Sequence, residues 1–148
     1  MVGWWLALLG CSQVRPAEEA PVLADVVDVR SSGSAGALTV SVTVRSPDTG
    51  CDRYADWWEI VTADGQLVHR RILNHSHVDE QPFTRSSEGP VDLDLDEPVV
   101  VRAHLHPDGY GGIQFRGTFA DGLASDGADA TFAADLEGSQ PLPDDCWF

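Results

Sequence analysis

The feature that most constrains this chain is a hydrophobic period of two, repeated along its length with no competing period of 3.6. Leu38, Val40, Val42 and Val44 alternate with Thr39, Ser41, Thr43 and Arg45. Side chains at i and i+2 share one face of a strand, so this run reads as half-buried, with β-branched residues on both faces. Val99, Val101, Ala103 and Leu105 alternate with Val100, Arg102, His104 and His106. Ile113, Phe115 and Phe119 alternate with Gln114, Arg116 and Thr118. Residues 57–62 and 67–73 flank Ala63-Asp64-Gly65, a hairpin signal. Residues 22–30 and 91–95 are weaker strand candidates. No segment carries an amphipathic helical pattern over three turns.

About seven short strands, separated by Gly, Pro and Asp clusters, predict an all-β fold. The expected architecture is an antiparallel β-sandwich, immunoglobulin-like, over residues 22–119. Trp57 and Trp58 match the core tryptophan of such domains at the level of architecture only. The 148 residues suit one domain, and a hydrophobic share of 43% is enough for one core and too high for wholesale disorder. Residues 120–148 differ in character. They hold seven acidic residues and no basic one, and are punctuated by Gly and Pro. They read as a solvated acidic C-terminal tail, with residues 131–136 as a candidate last strand.

The net charge is −15, and all nine basic residues are Arg. A field of this sign repels phosphate backbones and anionic lipid surfaces. Nucleic acid is therefore excluded as a partner, and so is electrostatic docking on a membrane. Cations are the natural counter-charge, and solubility alone also accounts for the surface.

The chain opens Met1-Val2-Gly3-Trp4-Trp5-Leu6-Ala7-Leu8-Leu9-Gly10-Cys11. The apolar run is far shorter than the roughly 20 residues a bilayer span needs. Leu8-Leu9-Gly10-Cys11 resembles the lipobox of bacterial lipoproteins, with an aliphatic residue at −3, a small one at −1, then Cys. The resemblance implies a signal segment at residues 1–10, removed on export, and a lipid on Cys11 as membrane anchor. It implies a bacterial cell envelope location, periplasmic or surface-facing, and Ser12 after Cys11 permits outer-membrane transfer under the Gram-negative sorting rule. The segment departs from a usual signal by having no Lys or Arg before the apolar run, and by its shortness against about 15–30 residues. An apolar N-terminus packed on the domain is the other reading. Residues 11–21 form the lipidated Cys and a polar, proline-bracketed tether.

Cys51 and Cys146 then remain. An even pair in an exported chain reads as a disulfide, and two free thiols are the alternative.

Four of the five His fall in two His-x-His pairs, His75-Ser76-His77 and His104-Leu105-His106. Period two puts His104 and His106 on one face, and an extended 74–77 segment does the same for His75 and His77. Two such pairs on neighbouring strands would gather four imidazoles, a ligand set suited to zinc or copper. Asp79, Glu80 and Asp108 are near enough in sequence to orient the rings or replace one. The competing reading makes Arg102, His104 and His106 the solvated side of an edge strand. It makes 74–85 a structural loop with Glu80 paired to Arg85 and Phe83 in the core. Cupins also carry His-x-His before Glu, but at a longer spacing than Val78-Asp79 allows. Superoxide dismutase sandwiches carry His-x-His on a strand, but their bridging His has no counterpart here.

Other chemistry is weakly supported. Ser76 stands between two His without a G-x-S-x-G elbow. Gly109-Tyr110-Gly111-Gly112 reads as a turn and not a phosphate loop, since no Lys and no helix pattern follow. Asp121, Asp126 and Asp129 fit no EF-hand spacing. The stretches Cys51–Glu59, Arg70–His77, Val101–His104 and Gly109–Gly112 resemble a group of small exported bacterial proteins with no known activity. The function expected is an envelope-anchored binding or structural module, with a transition metal at His75, His77, His104 and His106. The rival is a metal-free protein interaction domain using Trp57, Trp58 and Tyr110. A metal-dependent enzyme is a third reading.

Overall fold

The computed structural model describes residues 22–148. The lipobox and tether expected at residues 1–21 lie outside them. Nine strands form, running β1 (Asp25–Ser34), β2 (Ala37–Arg45), β3 (Tyr54–Thr62), β4 (Leu67–Ile72), β5 (Phe83–Ser86), β6 (Val99–His106), β7 (Gly109–Tyr110), β8 (Ile113–Thr118) and β9 (Gly122–Gly127). They make a three-stranded sheet, β1-β2-β5, and a six-stranded sheet, β4-β3-β6-β8-β9, with β7 paired to β6. Every pairing is antiparallel.

The two sheets bury one core between them. Val26, Leu38, Val40, Val42, Val44 and Phe83 come from the smaller sheet. Ala55, Trp58, Ile60, Val99, Val101, Ala103 and Leu105 come from the larger one. The chain crosses between sheets after β2, after β4 and after β5, which is the immunoglobulin-like order of connections. Trp58, on the second strand of the larger sheet's order, is fully buried in the core.

The period-two runs on β2, β6 and β8 became strands, and the Ala63-Asp64-Gly65 hairpin joins β3 to β4. The structure differs from these expectations in four places. Residues 91–95 make no strand: they keep the alternation, with Val91 and Leu93 buried, but pair with the start of β2 only through the Val91–Leu38 bridge and the Gly36 N–H donated to the Leu93 carbonyl. β5 escapes sequence reading because four residues carry too little pattern. The expected tail is structured: β9 pairs with β8 from Ile113↔Gly127 to Thr118↔Gly122. Residues 131–136, expected as a strand, instead form turns leading into a short 3-10 helix, Ala134–Gly138.

The C-terminal segment ends on a disulfide, Cys51–Cys146, with Cα atoms 5.7 Å apart. This lies within the span that bridged cysteines usually show. One residue further, Trp147 N–H donates to the Asn74 carbonyl at 2.7 Å, and Ser76 N–H donates to the Trp147 carbonyl at 3.0 Å. The chain's last residues thus lie alongside the 74–76 segment as a parallel bridge.

Candidate functional site

The outer face of the larger sheet is polar, yet buried. Glu59, Arg70, Arg102 and His104 are each at most 6% exposed. Segment 128–141 crosses over them as a strap. Its peptide carbonyls would be costly to bury unpaired, and two guanidinium groups satisfy them. Arg70 donates to the carbonyls of Leu136, Ser139 and Pro141, and Arg102 to those of Phe132 and Ala133. Between the two arginines sits Glu59, taking Arg70 Nε and Arg102 Nε at 2.8 Å each. Arg70 stacks over Trp57 and Arg102 over Tyr110, at 4.4 and 3.6 Å to the ring centroids. Burial first, and then the Glu59 carboxylate, hold the Tyr110 hydroxyl protonated far above its ordinary range.

Next to this network lies His104. β3 carries a bulge between Ala55 and Trp57, where two residues stand opposite one on β6. A bulge shifts the alternation by one residue and re-aims a side chain. Here it lets both Asp56 and Trp57 serve the outer face. Asp56 Oδ1 lies 2.6 Å from His104 Nδ1, and Trp57 stacks on the imidazole at 3.8 Å and 7°. Tyr110 lies beside the imidazole in a T-shaped contact, its ring centroid 4.9 Å away. From the strap, Glu137 Oε1 comes within 3.1 Å of His104 Nε2. Burial raises the Asp56 carboxyl above its usual range, against the pull of His104. His106, exposed, follows on the same side of β6, its ring 5.8 Å from that of Tyr54. A cavity of about 480 Å³ opens here, lined by Tyr54, Asp56, His104, His106, Glu137 and the disulfide.

His75 and His77 occupy a different place. Their rings are 5.6 Å apart beside a separate cavity of about 350 Å³ that includes Arg71, Arg85 and Trp147. Asp48 fixes this loop: it accepts from Ser46 Oγ, from Ala55 N–H and from His77 N–H. His77 stacks on Phe83 at 3.8 Å, and Arg85 lies 2.9 Å from its Nε2. A guanidinium only donates, so His77 accepts there and is neutral. The two His-x-His pairs therefore line separate cavities and do not gather four imidazoles. Among the described residues no three His, Cys, Asp or Glu side chains converge as a preformed metal cage. Two of the three carboxylates expected to assist the rings are engaged with arginines, Glu80 with Arg85 and Asp108 with Arg53. Phe83 is buried in the core. Arg102 and His104, read in sequence as one side of a solvated edge, are buried because the strap covers them. Trp57 and Tyr110 are buried as well, so neither is offered to a partner as a surface contact.

Burial, and then Arg85, push the His77 pKa below its ordinary value, and burial does the same for His69. In the unfolded chain each would titrate near about 6.5. Their neutral packing thus stabilises the fold fully above that pH, and the contribution is lost as pH falls through 6.5 towards the lower folded value. Urea unfolding at pH 7.5 and 5.5 should show this loss, with a shallower slope in His77→Gln. An identical slope in that variant would remove His77 from the account.

Sequence reasoning missed Asp56, Glu59, Arg70 and Glu137 as members of this site.

No protein-family model matches the chain, and no solved structure matches it significantly. It is similar to a protein of the halophilic archaeon Halomicrobium mukohataei named "Putative lipoprotein", 44% identical over 93 residues. The match covers 60% of this chain and 44% of that relative, so it spans less than half of the relative's length.

Proposed function

We propose that this protein is exported and held at the cell envelope by a lipid on Cys11, with the sandwich as a binding or structural module. The observation that carries the reading is the use of the three cysteines. Cys51 and Cys146 are joined, as suits an oxidising compartment, and Cys11 stands alone after Leu8-Leu9-Gly10. The similarity to a relative named as a lipoprotein supports it. That relative is archaeal, so the proposal is an envelope anchor without a commitment to a bacterial membrane. Among the described residues no helix is long and apolar enough to cross a bilayer. With a net charge of −15 the chain would be repelled by anionic headgroups, and a tether over residues 12–21 would hold the domain clear of them.

Expression of the full chain in a host with lipoprotein-processing enzymes tests this. The wild type should fractionate with membranes, and its intact mass should show a mature terminus at Cys11 with added acyl chains. Cys11→Ser should move the protein to the soluble fraction. An unmodified Met1 terminus, or membrane retention unchanged in Cys11→Ser, would overturn the proposal.

A further inference from the structure

We infer that the cavity beside strand β6 is a binding site for one divalent transition metal of the zinc class, held by His104 Nε2, Glu137 and His106. This does not rest on the lipid anchor. It narrows the four-histidine expectation to one pair and adds a carboxylate that the sequence did not reveal.

His104 is built as a metal-ligating imidazole is built. Its Nδ1 is held by Asp56 at 2.6 Å, which fixes the tautomer that leaves Nε2 to the cavity. Its ring is held by the stacked Trp57 on one face and by Tyr110 at its edge, so little rotamer freedom remains to be lost on binding. Glu137 Oε1 already lies 3.1 Å from Nε2. Two donors bound to zinc at about 2.0–2.1 Å and a tetrahedral angle lie about 3.3 Å apart. An ion can therefore bridge this pair with a shift of a few tenths of an ångström. The third ligand, His106, shares the face through the strand's period of two, lines the same cavity and is exposed, so its ring is able to turn. Two imidazoles and one carboxylate form a set zinc accepts, with a fourth position left for solvent. The metal would tie the strap, through Glu137, to the sheet.

The same distances also serve an imidazolium bonded to two carboxylates, and zinc titration of the purified full-length protein separates the two. Calorimetry should show one zinc per chain. His106→Gln and Glu137→Gln should each weaken binding more than 10-fold. Both side chains are solvent-exposed, so both variants should fold as the wild type does by circular dichroism. Asp56→Asn, which alters ring positioning only, should weaken it about 10–100-fold. His75→Gln with His77→Gln should leave it unchanged. Millimolar magnesium should not compete, whereas it would displace an ion held only by the acidic surface. Absence of stoichiometric uptake, wild-type affinity in both His106→Gln and Glu137→Gln, or displacement by magnesium would each overturn the inference.

Discussion

Glu59→Gln is expected to lower folding stability by about 3–5 kcal/mol, the range for removing one partner from a buried ion pair. Glu59 is fully buried, and each of its oxygens takes one arginine. A neutral amide would leave two buried guanidinium groups with carbonyls and aromatic faces around them but no negative charge. The carbonyls of the strap satisfy their N–H groups and do not balance their charge. Replacing all three residues by apolar ones removes that imbalance, and in other systems such a change is neutral or stabilising. Here it should not be, because five strap carbonyls would lose their donors. The triple variant Glu59→Leu, Arg70→Met, Arg102→Met should keep a protected β2 and β6 core in hydrogen exchange. Residues 132–141 should lose their protection. Denaturant unfolding measures the first effect. A Glu59→Gln variant within about 1 kcal/mol of wild type would show that water or strap movement relieves the buried charge.

The sandwich was legible because a strand with one face in the core writes its burial into alternate residues, as β2 does from Leu38 to Val44. The same rule hid the site. On β6 the residues opposite the core, Arg102, His104 and His106, look like a solvated face. Nothing within that strand announces that a segment thirty residues on will cover two of them. The strap itself carries no pattern, since it is held by backbone carbonyls, which every sequence has. Asp56 was hidden for a different reason. The bulge at β3 breaks the alternation by one residue, so period-two reading assigns Asp56 to the same face as Tyr54 and Trp58 and misses its pairing with His104. The His75 and His77 pair was misjudged through distance in three dimensions. Their loop is held by Asp48 and by Phe83 at the start of β5, beside a cavity separate from that of His104 and His106. Each missed residue depends on a partner distant in sequence, which is the information a local pattern lacks.

Removing the disulfide by Cys51→Ser with Cys146→Ser is expected to cost about 2–5 kcal/mol. The bridge closes a separation of 95 residues, which spans β3 to β9 and the strap. Restricting so long a segment of the unfolded chain is worth up to about 4.7 kcal/mol in the chain-entropy account. The folded state should change little near the core, because residues 132–141 keep their bonds to Arg70 and Arg102. The part that depends on the bridge is the run beyond Pro141, which reaches the 74–76 segment through Trp147. Hydrogen exchange should therefore rise first at Ser76 and Trp147, whose amides make the terminal bridge, while β6 amides change only by the loss in global stability. This pattern separates two sources of stabilisation. If the strap amides at Leu136 and Ser139 exchange as fast as Trp147 in the variant, the bridge holds the whole strap and the arginine bonds are secondary. If only the terminal amides respond, the buried charge network seats the strap and the disulfide acts mainly on the unfolded chain. A double variant within about 1 kcal/mol of wild type would mean that the unfolded chain is already restrained without the bridge.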